Sequence, residues 1–478
     1  MSVLRTLAAF SLAASSIIAT APFTAAQSTD EDELLNLPTS AENIAAGLEA
    51  DAYASGLLAY VWGYPLVRME RVARTYSDVP DPKPATSYRA PVNRIGWATS
   101  LATPDAKDMP TANNDTLYLS AVVDLGKEPY ILHVPDTADR YYVVDVFDMW
   151  QNLEHYIGRR TTGTEAGDFA LVPPGWEGAL PAGITRLDVQ TDKVWLWGRL
   201  RVSQGEPMEP LMKLQQGFTL RPLSQRDNKD FVAAPETLPK MPDTAGDPLG
   251  FYKQLAFALK SNAVPPQDAA LFGQFARFGL TEQGFDDSKL TQPQRDALIR
   301  ALKDGPKVAV SALSSAGTER NGWSWVRGLD DFGYMYPLRT LVAGPYLGGQ
   351  GEKEAMYPLR STDSKGEQLD GSKKYVIRFG KAPPVDAFWS LTVYNAADKM
   401  LIENPIQRYK LGADTQGLKV NADGSFEVPL QASKPDGDNA ANWLPAPAGP
   451  FYIILRLYQP KDEVLSGNYD LPQIDPFQ

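Results

Sequence analysis

The chain has 478 residues, with 46 Lys+Arg against 58 Asp+Glu and a formal charge of -12. An acidic chain is a poor match for a phosphate backbone, so no nucleic acid is expected as a partner. The absence of cysteine excludes disulfides, thiolate catalysis and cysteine-held metal, and with only two histidines, His133 and His155, a three-histidine zinc site cannot form within one chain. Hydrophobic residues at 43% and charged residues at 22% describe an ordinary globular protein, long enough for several domains.

Residues 1–26 read as a secretory signal peptide. Arg5 precedes an apolar run from Leu7 to Ala19, and Phe23-Thr24-Ala25-Ala26 supplies the small residues of a cleavage site. No Cys follows for a lipid anchor, and no later stretch is long and apolar enough to span a bilayer. The expected product begins at Gln27 and is periplasmic or secreted, with no stable membrane insertion.

Residues 27–90 form a tail and helices. Tyr53, Leu57, Tyr60, Val61 and Tyr64 lie on one helical face, and Gly63-Tyr64-Pro65 is expected to interrupt the helix. Residues 91–205 change to a period of two. Strands are predicted at Tyr130–Val134, Tyr141–Met149, Phe169–Val172 and Lys193–Val202, giving a β-sandwich. Residues 206–320 turn helical. Thr291-Gln292-Pro293-Gln294 has the form of a capping box, and Gly305-Pro306 is expected to stop that helix. Residues 321–373 read as an aromatic linker. Residues 374–478 are β again, with strands at Tyr375–Phe379, Phe388–Tyr394, Ser425–Val428 and Phe451–Tyr458. The fold class is therefore mainly β with a helical module (α+β).

The two β regions look duplicated. Tyr130-Ile131-Leu132-His133-Val134 matches Tyr375-Val376-Ile377-Arg378-Phe379, and the block from Tyr141 to Asp148 matches that from Phe388 to Asn395. Ile157-Gly158 matches Leu411-Gly412, and Trp197-Gly198-Arg199-Leu200 matches Ile454-Leu455-Arg456-Leu457, in the same order at a slowly growing offset. The strand ending in Asp148 and the strand ending in Asn395 should then occupy equivalent places.

Several blocks carry a family resemblance. They are Asn113-Asn114-Asp115-Thr116-Leu117-Tyr118, Asp148-Met149-Trp150, Arg159-Arg160-Thr161-Thr162-Gly163, Ala387 to Tyr394, and Asn442 to Tyr452. Together they resemble exported bacterial proteins that pair domain of unknown function 1254 with domain of unknown function 1214. The resemblance implies an immunoglobulin-like β-sandwich, a helical middle segment and a C-terminal jelly-roll-like sandwich. It implies no reaction.

The candidate catalytic residues are Asp115, Asp145, Asp148 and His155. Asp115 closes a polar run at a strand start, where Asn113 and Asn114 could meet a ligand or simply form an Asx-turn. Alternation places Asp148 on a Val face and Asp145 on the opposite, equally apolar one. A carboxylate there must be paired or shared, with Arg140, Arg159 or Arg160 as expected partners of Asp148. His155 is the nearer of the two histidine bases. Tyr118, Trp150, Trp389 and Arg339, the last from a repeated Tyr-Pro-Leu-Arg, join Asn113 and Asn114 as candidate ligand contacts, since exposed aromatic rings stack on sugars and apolar ligands. The glycines of 344–351 lack a phosphate-loop lysine, and Asp436-Gly437-Asp438-Asn439 lacks the later ligands of a calcium loop. No metal or cofactor is expected. Two functions fit: a small-molecule or saccharide site in a carboxylate-lined cleft between domains, with hydrolase or lyase chemistry, or a non-catalytic envelope-associated recognition or assembly protein. Homo-oligomerisation is compatible with both.

Overall fold

A computed structural model of the chain describes residues 35–82, 88–107 and 110–477, so the expected signal peptide lies outside the described residues. The fold is mixed α+β with its strands in open sheets. Among the described residues no helix is long and apolar enough to cross a membrane.

The helix Ala41–Ser77 continues through Pro65, against the expected break. Proline cannot donate to the carbonyl four residues back. That carbonyl, of Val61, instead accepts the Thr340 hydroxyl from the helix Tyr336–Ala343. Trp62, Leu66, Met69, Ala73 and Tyr76, spaced four and three apart, form the buried stripe of this helix. Each large side chain fully withdrawn from water contributes roughly 1.5–3 kcal/mol. Helix Gln292–Ser311 begins with the expected capping box at Thr291 and Gln294, but it continues past Gly305-Pro306.

The first half holds β1 (Gly96–Trp97), β2 (Thr116–Asp124), β3 (Tyr130–Val134), β4 (Tyr142–Phe147), β5 (Leu153–Gly158), β6 (Gly167–Val172), β7 (Ile184–Asp188), β8 (Lys193–Arg201) and β9 (Thr219–Pro222). They form two sheets, ordered β1-β2-β8-β4-β5 and β7-β6-β3-β9. Leu117, Leu119, Val144, Val146 and Leu196 of one sheet share a core with Leu132, Phe169 and Leu171 of the other.

The short strands β10 (Leu280–Thr281) and β11 (Gly284–Phe285) form a hairpin in the helical middle region. The second half follows with β12 (Gly317–Arg320), β13 (Trp323–Val326), β14 (Ala355–Met356), β15 (Leu359–Arg360), β16 (Lys374–Phe379), β17 (Val385–Asn395), β18 (Lys410–Gly412), β19 (Phe426–Gln431), β20 (Leu444–Pro445), β21 (Phe451–Pro460) and β22 (Gln473–Phe477). One sheet runs β12-β13-β15-β21-β17-β18, with β14 also on β21, and the other runs β20-β19-β16-β22. The segment read as an aromatic linker therefore contributes strands β13 to β15 to a sheet.

The duplication is visible in the pairing. β2-β8-β4-β5 corresponds to β15-β21-β17-β18, and β7-β6-β3-β9 to β20-β19-β16-β22. The parallel pair β6–β7 recurs as the parallel pair β19–β20. Register agrees too: Val143 lies opposite Arg199 and Gly158, while Ser390 lies opposite Arg456 and Gly412. Both glycines are needed for close approach, since a Cβ would sit 2.5 Å from the Tyr142 oxygen at Gly158 and 2.5 Å from the Trp389 oxygen at Gly412.

A buried polar seam between two sheets

On β2, β4 and β8 one set of alternate side chains fills the first core. The other set, including Tyr118, Asp145 and Arg199, turns toward the second half. On β17 and β21, likewise, Trp389, Leu391 and Leu455 fill the second core, leaving Ser390, Thr392, Tyr394, Arg456 and Tyr458 to face back. These two faces enclose a buried polar seam.

Each half grips the other through one buried acid. Asp115 accepts from Arg201 (3.0 Å), from Lys410 (2.7 Å) and from the Ser390 hydroxyl (2.5 Å). The two cations hold its carboxyl far below the usual range despite full burial, which acts the other way. Asp414 also meets Arg201, at 2.7 Å. In return Glu354 accepts from Tyr141 (2.9 Å) and Arg160 (2.6 Å).

Asp145 accepts Arg199 Nη1 at 2.6 Å and Gln350 Nε2 at 2.9 Å. Burial nonetheless pushes its carboxyl up, to about 7, against the pull of Arg199. Gln350 accepts the Tyr357 hydroxyl at 2.8 Å. Arg456 has no such carboxylate. Its Nη2 donates to the Thr111 carbonyl at 2.8 Å, its guanidinium lies 5.4 Å from the Tyr394 ring centre, and among the described residues its Nη1 has no hydrogen-bond partner. The Thr392 hydroxyl and the Tyr458 hydroxyl, on the same face, are also buried without a partner. Burial holds the Tyr357, Tyr394 and Tyr458 phenols well above their ordinary range, so they remain protonated donors. Thr111 sits at φ 61°, a left-handed conformation that costs a β-branched residue about 1–3 kcal/mol. It is held by its amide on the Lys399 carbonyl and its hydroxyl on Tyr452.

The sequence-predicted residues divide among five places. Asn113 forms the Asx-turn: its Oδ1 accepts from the amides of Asp115 and Thr116, and its Nδ2 donates to Tyr118 at 2.8 Å. Asn114 donates to the Ala102 carbonyl. Asp115, Asp145 and Tyr118 lie on the seam, with Tyr118 stacked on Trp197.

Asp148, Trp150 and Arg339 form a separate group. β4 ends at Phe147, so Asp148 is not inside the strand. None of the expected arginines reaches it: Arg140 pairs with Glu206, Arg159 with Asp139 and Arg160 with Glu354. It caps its own turn instead, accepting from the amides of Trp150 and Asn152 at 2.8 Å each and from Asn152 Nδ2 at 2.7 Å. Asn395, at the equivalent strand end, caps in the same way through the amide of Ala397 at 2.8 Å. Burial raises Asp148 to about 6, and burial together with the Asp148 charge raises Glu154 to about 9. Arg339 lies over the Trp150 and Tyr336 rings.

His155 bonds the Asp188 carbonyl through Nε2 at 2.7 Å and touches none of the three aspartates. Trp389 is packed against Phe379 and Phe426 in the second core. The aromatic load is spent inside: Trp62, Trp150, Trp195, Trp197, Trp323 and Trp443 are all fully buried. Sequence reasoning missed Arg199, Arg456, Thr392, Tyr458 and Gln350. The visible signal was an arginine in each copy of one apolar strand block.

Fold and site together define a duplicated β protein whose halves clasp across a buried polar seam. Residues 92–222, the first half, match the family Protein of unknown function (DUF1254), and residues 354–462, most of the second, match Protein of unknown function (DUF1214). The chain belongs to the proteins that carry these two domains in that order. It is similar to the VPA0106 protein from Vibrio parahaemolyticus, known from a crystal structure, at 26% identity over 89% of this chain and 100% of that one, with a TM-score of 0.67. An uncharacterized protein from Burkholderia cenocepacia aligns at 14% identity over 94% of this chain and 93% of that one, with a TM-score of 0.43. No curated protein matches the chain.

Proposed function

We propose that this is an exported protein that binds a small polar molecule in the seam between its two sheet pairs, which we read as sandwiches of one plan. The observation that carries the reading is the trio of unpartnered atoms on one face: Arg456 Nη1, Thr392 Oγ1 and Tyr458 OH. A buried polar group without a hydrogen bond costs about 1–3 kcal/mol, so such groups normally meet water or a ligand. Binding is favoured over hydrolysis because Asp115 and Asp145, the seam's sequence-predicted acids, are each held by a cation. Export rests on residues 1–26, and periplasmic material should begin at Gln27.

The test is a thermal-melt screen of the purified protein against a panel of polar metabolites, repeated on the double variant Thr392→Val, Tyr458→Phe. The variant removes only unpartnered hydroxyls and should melt no lower than wild type. At least one compound should raise the wild-type midpoint and not that of the variant. A panel without effect, or a shift equal in both proteins, overturns the reading.

A further inference from the structure

Arg199 and Arg456 are the same residue in two copies of one strand pair. Arg199 lies opposite Val143 of β4, and Arg456 lies opposite Ser390 of β17. Two residues along, Asp145 lies opposite Trp197 and Thr392 opposite Ile454. Thr392 thus stands in the second half where Asp145 stands in the first.

The surroundings repeat as well. Each arginine spends Nη2 on a loop carbonyl at 2.8 Å, of Gly348 for Arg199 and of Thr111 for Arg456. Both carbonyl-bearing residues are left-handed, at φ 70° and φ 61°. Tyr118 lies opposite Arg199. The register between Met356–Leu457 and Leu359–Ile454 puts Tyr357 opposite Arg456. The one thing not repeated is the carboxylate. Arg199 Nη1 meets Asp145 at 2.6 Å, whereas among the described residues Arg456 Nη1 has no hydrogen-bond partner and its guanidinium lies against Tyr394. The acid whose charge Arg456 feels, Asp115, is already held by Arg201, Lys410 and Ser390.

Resting on the binding site proposed above, we infer that its ligand carries a singly charged oxyanion, a carboxylate by shape, which takes at Arg456 the place that Asp145 takes at Arg199. Pairing supports a single negative charge. Arg199 already bonds Asp145, and Arg201 with Lys410 already bonds Asp115 and Asp414, which leaves Arg456 as the seam arginine to be met. Among the described residues Arg456, 4% exposed, has no carboxylate partner. Pairing stabilises a buried cation, and no carboxylate among the described residues supplies it at Arg456, so that place falls to an external anion. The Thr392 and Tyr458 hydroxyls add neutral donors around the same anion, and the protonated phenols cannot repel it.

The test is a pair of titrations at fixed ionic strength, read by thermal melts and calorimetry. The probes are acetate, benzoate, methyl sulfate and inorganic phosphate, with acetamide, benzamide and glucose as neutral controls. The wild type should be stabilised by carboxylates, with phosphate and the neutral compounds at least tenfold weaker. Thr392→Asp supplies the missing carboxylate in place. It should melt no lower than wild type and lose the carboxylate response at least tenfold. If that variant fails to fold, Arg456→Gln serves, and it should lose the response to carboxylates while retaining the fold by circular dichroism. Preference for methyl sulfate over acetate keeps the single charge and overturns the carboxylate. Stabilisation by neutral compounds alone, lost in Thr392→Val, Tyr458→Phe, overturns this inference and leaves the binding site standing. No response to any probe or to the metabolite panel overturns both.

Discussion

Asp115 and Asp148 are both fully buried acids of the first half, yet their surroundings drive them in opposite directions. Asp115 is held by Arg201 of its own half and, across the seam, by Lys410 and the Ser390 hydroxyl, and its carboxyl is strongly lowered. Asp148 is held by amides of its own turn, and burial raises it to about 6. Burial alone therefore does not mark a site. What distinguishes the two is how far along the chain the partners lie. The clasp at Asp115 ties residues of β8, β17 and β18 together, so it belongs to the seam. The Asp148 turn is local, and the second half builds the same turn with Asn395.

The largest test of that contrast is Asp115→Ala. It leaves Arg201 and Lys410 with only Asp414 as an acid partner, and it should cost about 3–5 kcal/mol in urea unfolding. Asp148→Asn should cost about 1 kcal/mol, because the asparagine oxygen still accepts both turn amides and only the Asn152 side-chain bond is lost. Equal losses from the two substitutions would break the comparison.

A subtler effect follows from pH. Glu154 is raised from its ordinary value of 4.5 to about 9 by burial and the neighbouring Asp148 charge. The folded state therefore holds a proton that the unfolded state has released, and the wild type loses stability as pH rises between those values. Glu154→Gln lacks this dependence and can still accept from the Gln190 amide. The variant's melting midpoint should rise relative to wild type as pH goes from 5 to 9. A constant difference across that range would contradict the assignment. Last, Thr392→Val, Tyr458→Phe should not lower the unfolding free energy, since neither hydroxyl has a partner to lose and each substitution removes a buried polar group.

The strands were legible because both halves alternate cleanly, and the duplication was legible from four matched blocks. The pairing confirms it down to Gly158 and Gly412. The breaks predicted at Pro65 and Pro306 did not occur. At Pro65 the freed Val61 carbonyl is met by Thr340, a residue far along the chain that no local pattern reveals. The apolar alternation around Asp148 implies burial, and it is buried, but three donors of its own turn meet it instead of the nearby arginines. The seam was half legible. Asp115 and Asp145 stood out as acids on apolar strands, while Arg199 and Arg456 were hidden inside the blocks used to detect the duplication. Gln350 and Tyr357, which complete the Asp145 side, come from a segment read as linker.

The central claim is that the molecule binds its ligand at the seam and not at the Asp148 turn. Calorimetric titration of one stabilising compound into three proteins decides it: wild type, the double variant Thr392→Val/Tyr458→Phe, and Asp148→Asn. The account predicts near-equal affinity for wild type and Asp148→Asn, and at least a tenfold loss in the seam variant. Full affinity in the seam variant, with loss in Asp148→Asn, would contradict it.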